Sequence, residues 1–370
     1  MLQRDLRWPT LLLLILAASL LSALVFGLQL RRSQPPQPAN FLAADKGYGV
    51  TIDLTRYDDD ATDRTLATMR ANGLTWLRLP VDWATVEPKP GRLDWRNLDR
   101  VIAAAAPTFK LIVVLQTPPE WARPAGSTPT TPPSNFSDFG RFAREVAARY
   151  GDRLDFYQIW HEPNLSANWG DRYVDAAAYA NLLREAALNI RAADPTAAIL
   201  TAALAATTEA NPLNLSELAY LDRLYQANAA GWFDVVAVQP YGLWTKPLDA
   251  PAPDQPNFRR VELLRQVMLA HNDADTPVWA TAFGWVALPA NWAGQPSPWS
   301  NDLPSVQTNR TAQAIDYARA NWPWLGPMLA VRWDAAGLAA DDPARGYALT
   351  QTPPLPDVFR AAADRQNTTT

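Results

Sequence analysis

From residue 48 onward, short apolar runs alternate with longer segments of helical periodicity. The apolar runs predict strands at 49–53, 76–80, 110–115, 156–160, 198–203, 235–239, 278–281 and 329–333. Helical patterns follow them at 60–72, 97–105, 136–150, 176–193, 216–229, 258–271, 311–321 and 356–364. Strand–helix pairs at this spacing predict an α/β protein with a single (β/α)8 TIM barrel. The strands are mostly continuous apolar runs, as a parallel sheet covered by helices requires.

Polar and aromatic residues end most of the predicted strands, and a barrel carries its functional site at the carboxyl ends of its strands. In chain order these residues are Asp53, Arg78 with Asp82 and Trp83, Gln116, Glu162, Gln239 with Tyr241, and Trp333 with Asp334. Carboxylates and amides hydrogen-bond hydroxyl groups, and aromatic faces pack against the C–H faces of sugar rings. The mixture therefore favours a carbohydrate as the ligand.

The first forty residues have a different pattern. An uncharged run at 8–30 follows Arg4 and Arg7 and precedes Arg31 and Arg32. It is longer than a signal-peptide core of about 7–15 residues, and a bilayer needs only about 20 apolar residues. We therefore predict a signal-anchor and a Pro- and Gln-rich tether at 1–40, with a cleaved signal peptide as the alternative, and a barrel domain at 41–370. The protein is then expected outside the cytoplasm, in the periplasm or at the cell surface, anchored to the membrane or secreted after cleavage.

Charge and composition narrow the range of partners. The 370-residue chain has a net charge of −4 and no basic stripe, which argues against nucleic-acid binding. It contains no cysteine, so disulfides, Fe–S clusters and thiolate zinc sites are excluded. Its two histidines, His161 and His271, argue against a histidine-rich metal site. Neither a metal nor a cofactor is expected.

Several motifs occur in a fixed order along the chain. Trp160-His161-Glu162-Pro163-Asn164 resembles the Trp-Asn-Glu-Pro-Asn motif of glycoside hydrolase clan A, especially its β-xylosidase-like (family 39) and cellulase-like (family 5) members. Segments 78–83 and 86–91 resemble that clan's second-strand region, and 117–122 resembles its third-strand loop. Segment 239–242 resembles a His-Pro-Tyr-Gly motif, and 278–285 resembles Trp-x-Thr-Glu-x-Gly-Trp. The resemblance covers nearly all of 45–360.

The resemblance implies roles for residues at the motif positions. In such glycosidases two glutamates flank the glycosidic bond, one as acid/base and one as nucleophile. Glu162 matches the acid/base, whereas the nucleophile position corresponds to Ala282, which has no group that can attack. The family's asparagine before the acid/base is His161 here, and the histidine of the His-Pro-Tyr motif is Gln239. Arg78 matches the residue that supports the nucleophile carboxylate and needs another anion, for which Asp82 and the acid group of a bound sugar are options.

Other residues near these motifs are candidates for ligand contact. The predicted substrate-binding set is Arg78, Trp83, Glu120, His161, Asn164, Gln239, Tyr241, Trp285 and Trp333. Asp334 is the spare carboxylate and the alternative nucleophile or base. Glu87 is instead expected to belong to a Glu-Pro turn that holds its loop shut.

Two functions follow from this set, with a third, weaker one beside them. The first is a glycosidase-like enzyme on extracytoplasmic oligo- or polysaccharide, with Glu162 as acid/base and Asp334 or Glu120 activating water in an inverting reaction. The second is a membrane-tethered pseudoglycosidase that binds carbohydrate without hydrolysing it. The third is a purely structural barrel. A second carboxylate at the inverting separation of about 6.5–9.5 Å from Glu162 would favour the enzyme.

Overall fold

The computed structural model describes residues 46–368, which form the predicted (β/α)8 barrel. The strands are β1 Tyr48–Thr51, β2 Leu74–Asp82, β3 Lys110–Gln116, β4 Phe156–Ile159, β5 Ala198–Leu200, β6 Val236–Val238, β7 Val278–Phe283 and β8 Leu325–Ala330. The main helices are α1 Asp59–Ala71, α2 Arg96–Ala105, α3 Phe136–Tyr150, α4 Ala176–Ala193, α5 Glu217–Gln226, α6 Val261–Ala270, α7 Pro304–Asn321 and α8 Leu355–Asn367. One such helix follows each strand, so the prediction of the fold class is confirmed.

The predicted anchor at 8–30, the tether and the domain boundary at residue 40 lie outside the described residues. Between residues 46 and 368, none of the helices combines the length and the apolar character that crossing a bilayer requires.

The strands pair in the order β5-β4-β3-β2-β1-β8-β7-β6, and every pair is parallel. The ring closes between β5 and β6 through the isolated parallel bridge of Leu200 with Val235. Side chains reinforce this seam, because Ile199 N–H donates to Asp234 Oδ2 at 2.8 Å and Ala237 N–H donates to Thr201 Oγ1 at 2.9 Å. The barrel is thus closed, and the pairing of β5 with β6 is its weakly hydrogen-bonded seam.

Aromatic side chains fill the barrel interior near the amino ends of the strands. The ring centroids of Trp76, Phe156 and Trp279 lie 4.9–5.0 Å apart. Glycines on the strands between them give these indoles room. A Cβ at Gly49 would lie 2.4 Å from the Trp76 carbonyl oxygen, and a Cβ at Gly326 would lie 2.4 Å from the Trp279 ring. These side chains close the interior of the barrel at this end, so the interior opens only at the opposite, carboxyl end.

The position of β8 differs from the sequence prediction. The strand is Leu325–Ala330, whereas the apolar pattern placed it at 329–333. Gly326 and Pro327 interrupt the apolar run and resemble a turn. The strand tolerates them because its pairing with β7 is irregular at this point. The correction moves Trp333 out of the strand, so that Trp333 and Asp334 both lie in the loop that follows it.

Two helices also begin at positions that the periodicity did not give. Helix α7 starts at Pro304 rather than at residue 311, with a proline in its first turn, where the missing N–H costs no hydrogen bond. The helix predicted at 258–271 begins as a separate 3-10 turn, Phe258–Arg260, and continues as α6.

Candidate functional site

A cavity of about 410 Å³ opens at the carboxyl end of the barrel. Its walls come from the ends of β1, β2, β3, β4, β6 and β7 and from the loop after β8. The lining residues are Thr51, Ile52, Asp53, Arg56, Tyr57, Arg78, Pro80, Asp82, Gln116, His161, Gln239, Tyr241, Ala282, Val331, Arg332, Trp333, Asp334, Ala336, Gly337 and Leu338. Most of the residues that the sequence singled out at the strand ends therefore share one cavity.

Glu162 lies beside this cavity on a strained turn that follows β4. The φ angles of Trp160 and Glu162 are +72° and +47°, in the left-handed region that bulky residues rarely occupy. Each such residue costs about 1–3 kcal/mol and persists only where its surroundings hold it. Here Glu162 N–H donates to the Ala203 carbonyl at 3.0 Å, and the Trp160 indole donates to the Asn168 carbonyl at 3.0 Å.

Two side-chain amides hold the Glu162 carboxylate. Oε1 accepts from Gln239 Nε2 at 2.7 Å, and Oε2 accepts from Asn168 Nδ2 at 2.9 Å. The Tyr241 hydroxyl in turn donates to Gln239 Oε1 at 2.9 Å. Burial raises the pKa of Tyr241, and the negative charge of Glu162 adds to this effect. Tyr241 is thus a neutral donor, and Glu162 is an acceptor at the end of a short hydrogen-bond chain.

Arg78 extends from β2 into the cavity and is only 7% exposed. Its Nε donates to Gln158 Oε1 at 2.8 Å, its Nη2 lies 3.3 Å from His161 Nδ1, and its Nη1 lies 3.5 Å from Thr51 Oγ1. Desolvation by burial lowers the pKa of Arg78 to about 10, although Tyr241 and Glu162 oppose this shift. Among residues 46–368, no carboxylate forms an ion pair with Arg78, and this includes Asp82, the partner considered from the sequence.

The contact with Arg78 fixes the tautomer of His161. A guanidinium only donates hydrogen bonds, so His161 Nδ1 accepts and the ring proton of the neutral form is on Nε2. Burial lowers the pKa of His161, which favours this neutral form, with Arg78 adding to the shift and Glu162 opposing it. Nε2 lies 3.7 Å from Glu162 Oε1, too far for a hydrogen bond.

Ala282 lies on β7 within the cavity wall and is 4% exposed. Its methyl group stands at the position that the motif assigns to the nucleophile. The extensions of β6 and β7 pair beside it through the parallel bridge of Tyr241 with Gly284. The resulting wall carries no nucleophilic side chain at position 282.

Three aspartates of the lining already accept hydrogen bonds. Asp334 Oδ2 accepts from the Tyr57 hydroxyl, and its Oδ1 accepts from Ala336 N–H at 2.8 Å. Asp82 Oδ1 accepts from Thr117 Oγ1 at 2.8 Å and from Gln116 Nε2 at 3.2 Å. Asp53 is paired with Arg56 at 2.7 Å. Asp334 lines the same cavity as His161 and Gln239, but both of its carboxylate oxygens already accept a hydrogen bond.

Four of the predicted contact residues lie outside the cavity lining. Trp83 is fully buried, with its indole on Glu87 at 2.7 Å. Asn164 is fully buried and bonds the backbone of residues 205 and 215. Trp285 is buried and donates to the Thr245 carbonyl at 2.8 Å, while Glu120 is exposed at the start of the 3-10 turn Glu120–Ala122.

The predicted structural role of Glu87 fits its contacts. Its carboxylate is fully buried and accepts from Trp83, from Gly91 N–H at 2.7 Å and from Arg141 at 2.9 Å. These bonds close the loop after β2. Trp333, in contrast, lines the cavity but is only 6% exposed, so it contributes mainly as a wall.

Sequence reasoning missed Arg332, Asn168, Gln158 and Tyr57, all of which contact or line the site. Arg332 directly precedes the Trp333-Asp334 pair that the sequence did single out. It was treated as part of a strand because β8 was placed too late. Gln158 offered a signal, since a polar residue inside the apolar run of β4 is unusual. Residues 46–368 contain no group of three or more His, Asp or Glu arranged to hold a metal ion.

Comparisons with known proteins agree with the barrel fold. Residues 54–154 match the model of a glycoside hydrolase family, family 42, described as beta-galactosidase. The chain has no significant match among curated proteins. A family 39 glycoside hydrolase from Bacteroides cellulosilyticus WH2 superposes with a TM-score of 0.64 at 16% identity, covering 87% of this chain and 63% of that one.

Two further structures share the fold. GH5_18 from Streptomyces cattleya in complex with GlcNAc has a TM-score of 0.63 at 19% identity, with 88% of this chain and 81% of that chain covered. The exo-beta-1,4-mannosidase Op5Man5 from Opitutaceae bacterium strain TAV5 has a TM-score of 0.58 at 16% identity, with 88% and 60% covered. The chain thus spans less than two thirds of the family 39 and mannosidase structures. The predicted resemblance to glycoside hydrolases is confirmed, and the fold is theirs.

Proposed function

We propose that this chain binds an oligo- or polysaccharide outside the cytoplasm, in the cavity at the carboxyl end of its barrel, and that it does not hydrolyse this ligand by the retaining route. The observation that carries the proposal is the methyl group of Ala282 in the cavity wall. A retaining glycosidase needs a carboxylate nucleophile about 5–5.5 Å from its acid/base, and alanine supplies none.

The chemistry of the cavity supports a carbohydrate. Its lining combines carboxylates, two amides, arginines and the edge of an indole, the groups that bind sugar hydroxyls and ring faces. The solved structures with the same fold include a complex with GlcNAc and an exo-beta-1,4-mannosidase. In the proposed complex, Glu162 accepts a hydrogen bond from a hydroxyl group of the ligand. It uses a lone pair that Gln239 and Asn168 leave open.

Binding is testable with purified full-length chain on a glycan array, alongside a hydrolysis screen on a polysaccharide panel. We expect glycan binding without release of reducing ends. Glu162→Gln should weaken binding, since it replaces an acceptor with a donor opposite the Gln239 and Asn168 amides. Glu145→Gln, on the outer helix α3, is the matched control. The absence of glycan binding, or equal binding by both variants, would contradict the proposal.

A second candidate function is single-displacement hydrolysis, with Glu162 as the acid and Asp334 as the base that activates water. The observation in its favour is that Asp334 lines the same cavity as Gln239 and His161, the neighbours of Glu162. The product anomer, measured by NMR, distinguishes the two functions. Hydrolysis with inversion that requires both Glu162 and Asp334 would make hydrolysis, rather than binding, the function. Loss of this hydrolysis in Asp334→Asn is the deciding result.

A further inference from the structure

We propose that the space beside Ala282 is an oxyanion site, in which Arg78 and Arg332 hold a carboxylate or phosphate group of the ligand. This inference deepens the proposed function. It rests on that function only where the anionic group is carried by a sugar. A free oxyanion would bind the same groups whether or not a saccharide binds.

Arg78 is a buried cation that forms no ion pair with a carboxylate of residues 46–368, and the charge of Glu162 reaches it only at a longer distance. Its three observed contacts go to a neutral amide, a neutral imidazole and a hydroxyl, the last at a long 3.5 Å. A guanidinium carries five N–H donors, so the described residues leave part of its donor set open. Burying a charge without a counter-charge is costly, and the lowered pKa of Arg78 reflects this cost. An oxyanion in the cavity would remove it.

Arg332 supplies a second cation to the same cavity. Its Nε donates to the Asp334 carbonyl at 2.7 Å, and no carboxylate in residues 46–368 forms an ion pair with its guanidinium. Tyr241 interacts electrostatically with both Arg78 and Arg332, and all three residues line the same cavity. Planar guanidinium groups match the geometry of carboxylates and phosphates.

None of the acidic residues of the cavity lining forms an ion pair with Arg78 or Arg332. Asp53 is paired with Arg56, Asp82 accepts from Thr117 and Gln116, and Asp334 accepts from Tyr57. The small side chain of Ala282 leaves space where a longer residue would stand. Two cations and an open volume of this kind select a ligand with one anionic group.

The same chemistry has two sources, the carboxylate of an acidic sugar and free inorganic phosphate. Isothermal titration of the purified full chain at constant ionic strength distinguishes them, with glucuronate, galacturonate and inorganic phosphate as probes. Glucose and galactose are the neutral controls of the same size as the uronates. Binding of a uronate with little binding of phosphate identifies the sugar acid, and tight phosphate binding identifies the free ion.

Two pairs of variants test the residues. Arg78→Lys keeps the charge but loses the planar donor set, so Kd should rise about tenfold or more. Arg360→Lys is the same change at an arginine of helix α8 that lies outside the cavity lining and is paired with Asp357, and Kd should stay within about twofold. Ala282→Glu places a carboxylate in the site and should abolish anion binding and raise Tm. Ala282→Gln has the same volume without the charge and should not raise Tm.

The Ala282 pair keeps the proposal testable if Arg78→Lys does not fold. Wild-type protein that prefers neither phosphate nor a uronate over the neutral sugars would overturn the oxyanion site, as would undiminished anion binding by Ala282→Glu. Binding of neutral saccharides alone would overturn the oxyanion site but leave the proposed function intact. Binding of phosphate without binding of any saccharide would support the oxyanion site but overturn the proposed function.

Discussion

At the scale of single residues, the three departures from the glycosidase motif fit one another. His161 accepts from Arg78, and Gln239 joins the Tyr241 hydroxyl to the Glu162 carboxylate. His161 and Gln239 therefore bond Arg78 and Tyr241, which line the cavity together with Ala282. The buried network is satisfied except at Arg78, which has neutral partners only. A site that had decayed at random would leave several such groups unpaired.

Restoring the missing carboxylate should restore some chemistry. We expect Ala282→Glu to gain retaining hydrolysis of activated aryl glycosides, about tenfold or more above wild type, equivalent to about 1.4 kcal/mol of barrier. Arg78 supplies an opposite charge that favours the ionised form of the new glutamate. Release of the aryl group measures the gain, and NMR gives the product anomer.

The gain should depend on both carboxylates. Adding Glu162→Gln should abolish the new activity, and Ala282→Gln, which has the same size without the charge, should remain inactive. Strong wild-type hydrolysis that survives Glu162→Gln would mean that the chemistry lies at other residues.

The environment of His161 predicts a dependence of stability on pH. Burial lowers the pKa of His161 in the folded protein below its ordinary value of 6.5. The unfolded chain then binds more protons between the two pKa values, so stability increases as pH rises through this window and is lost on acidification. His161→Asn lacks a titrating ring but keeps an acceptor for Arg78. Its unfolding free energy should fall less than that of wild type below about pH 6.5.

Denaturant unfolding of the two proteins at several pH values gives the comparison. Only the difference between their curves carries the His161 contribution, since every other group is common to both. Parallel curves of unfolding free energy against pH, from neutral to acidic pH, would contradict the predicted role of His161.

At the scale of elements, periodicity located the long helices better than the short strands. α3 and α4 match their predicted bounds because many turns of amphipathic pattern average out local exceptions. β8 was misplaced because Gly326 and Pro327 are turn residues by local rules. Gly326 is there for packing, because it leaves room for the indole of Trp279. That reason involves another strand and is invisible in the local sequence.

Gly326→Ala should therefore destabilise the barrel. The added methyl group would meet the Trp279 ring at 2.4 Å and force it to move inside a close-packed interior. Such overpacking costs about 1–3 kcal/mol. Gly231→Ala, where a Cβ would meet no atom within 4 Å, is the control and should stay within about 0.5 kcal/mol of wild type. Chemical denaturation of both variants measures the difference, and equal losses would refute the packing role.

The candidate site was predictable where motif and strand end coincide, as at Glu162, Ala282, Gln239 and Tyr241. It was not predictable where a side chain serves the scaffold. Asn164 belongs to the motif yet bonds only backbone groups of neighbouring loops. Asn168 and Arg332 come from loops, whose course follows from tertiary packing rather than from local periodicity. Both were therefore missed.

At the scale of the whole molecule, the uncharged run at 8–30 leads to a prediction about the full chain. We expect the full chain to fractionate with membranes and a variant lacking residues 1–40 to be soluble. The barrel core is complete within residues 46–368, so the shortened protein should still unfold cooperatively on heating. Loss of cooperative unfolding on truncation would show that the segment is part of the core instead.

The seam between β5 and β6 has a consequence for local opening of the barrel. The side chains of Asp234 and Thr201 make bonds there that backbone groups make elsewhere in the ring. The amide protons of Ile199 and Ala237 should therefore exchange with solvent sooner than those of β2 and β3, which are paired over seven residues. Glu162 N–H is bonded to the carbonyl of Ala203, just beyond β5. A ligand that tightens the turn at Glu162 should thus slow amide-proton exchange along the seam. The exchange rate then reports whether the cavity is occupied, even when the sugar is unidentified.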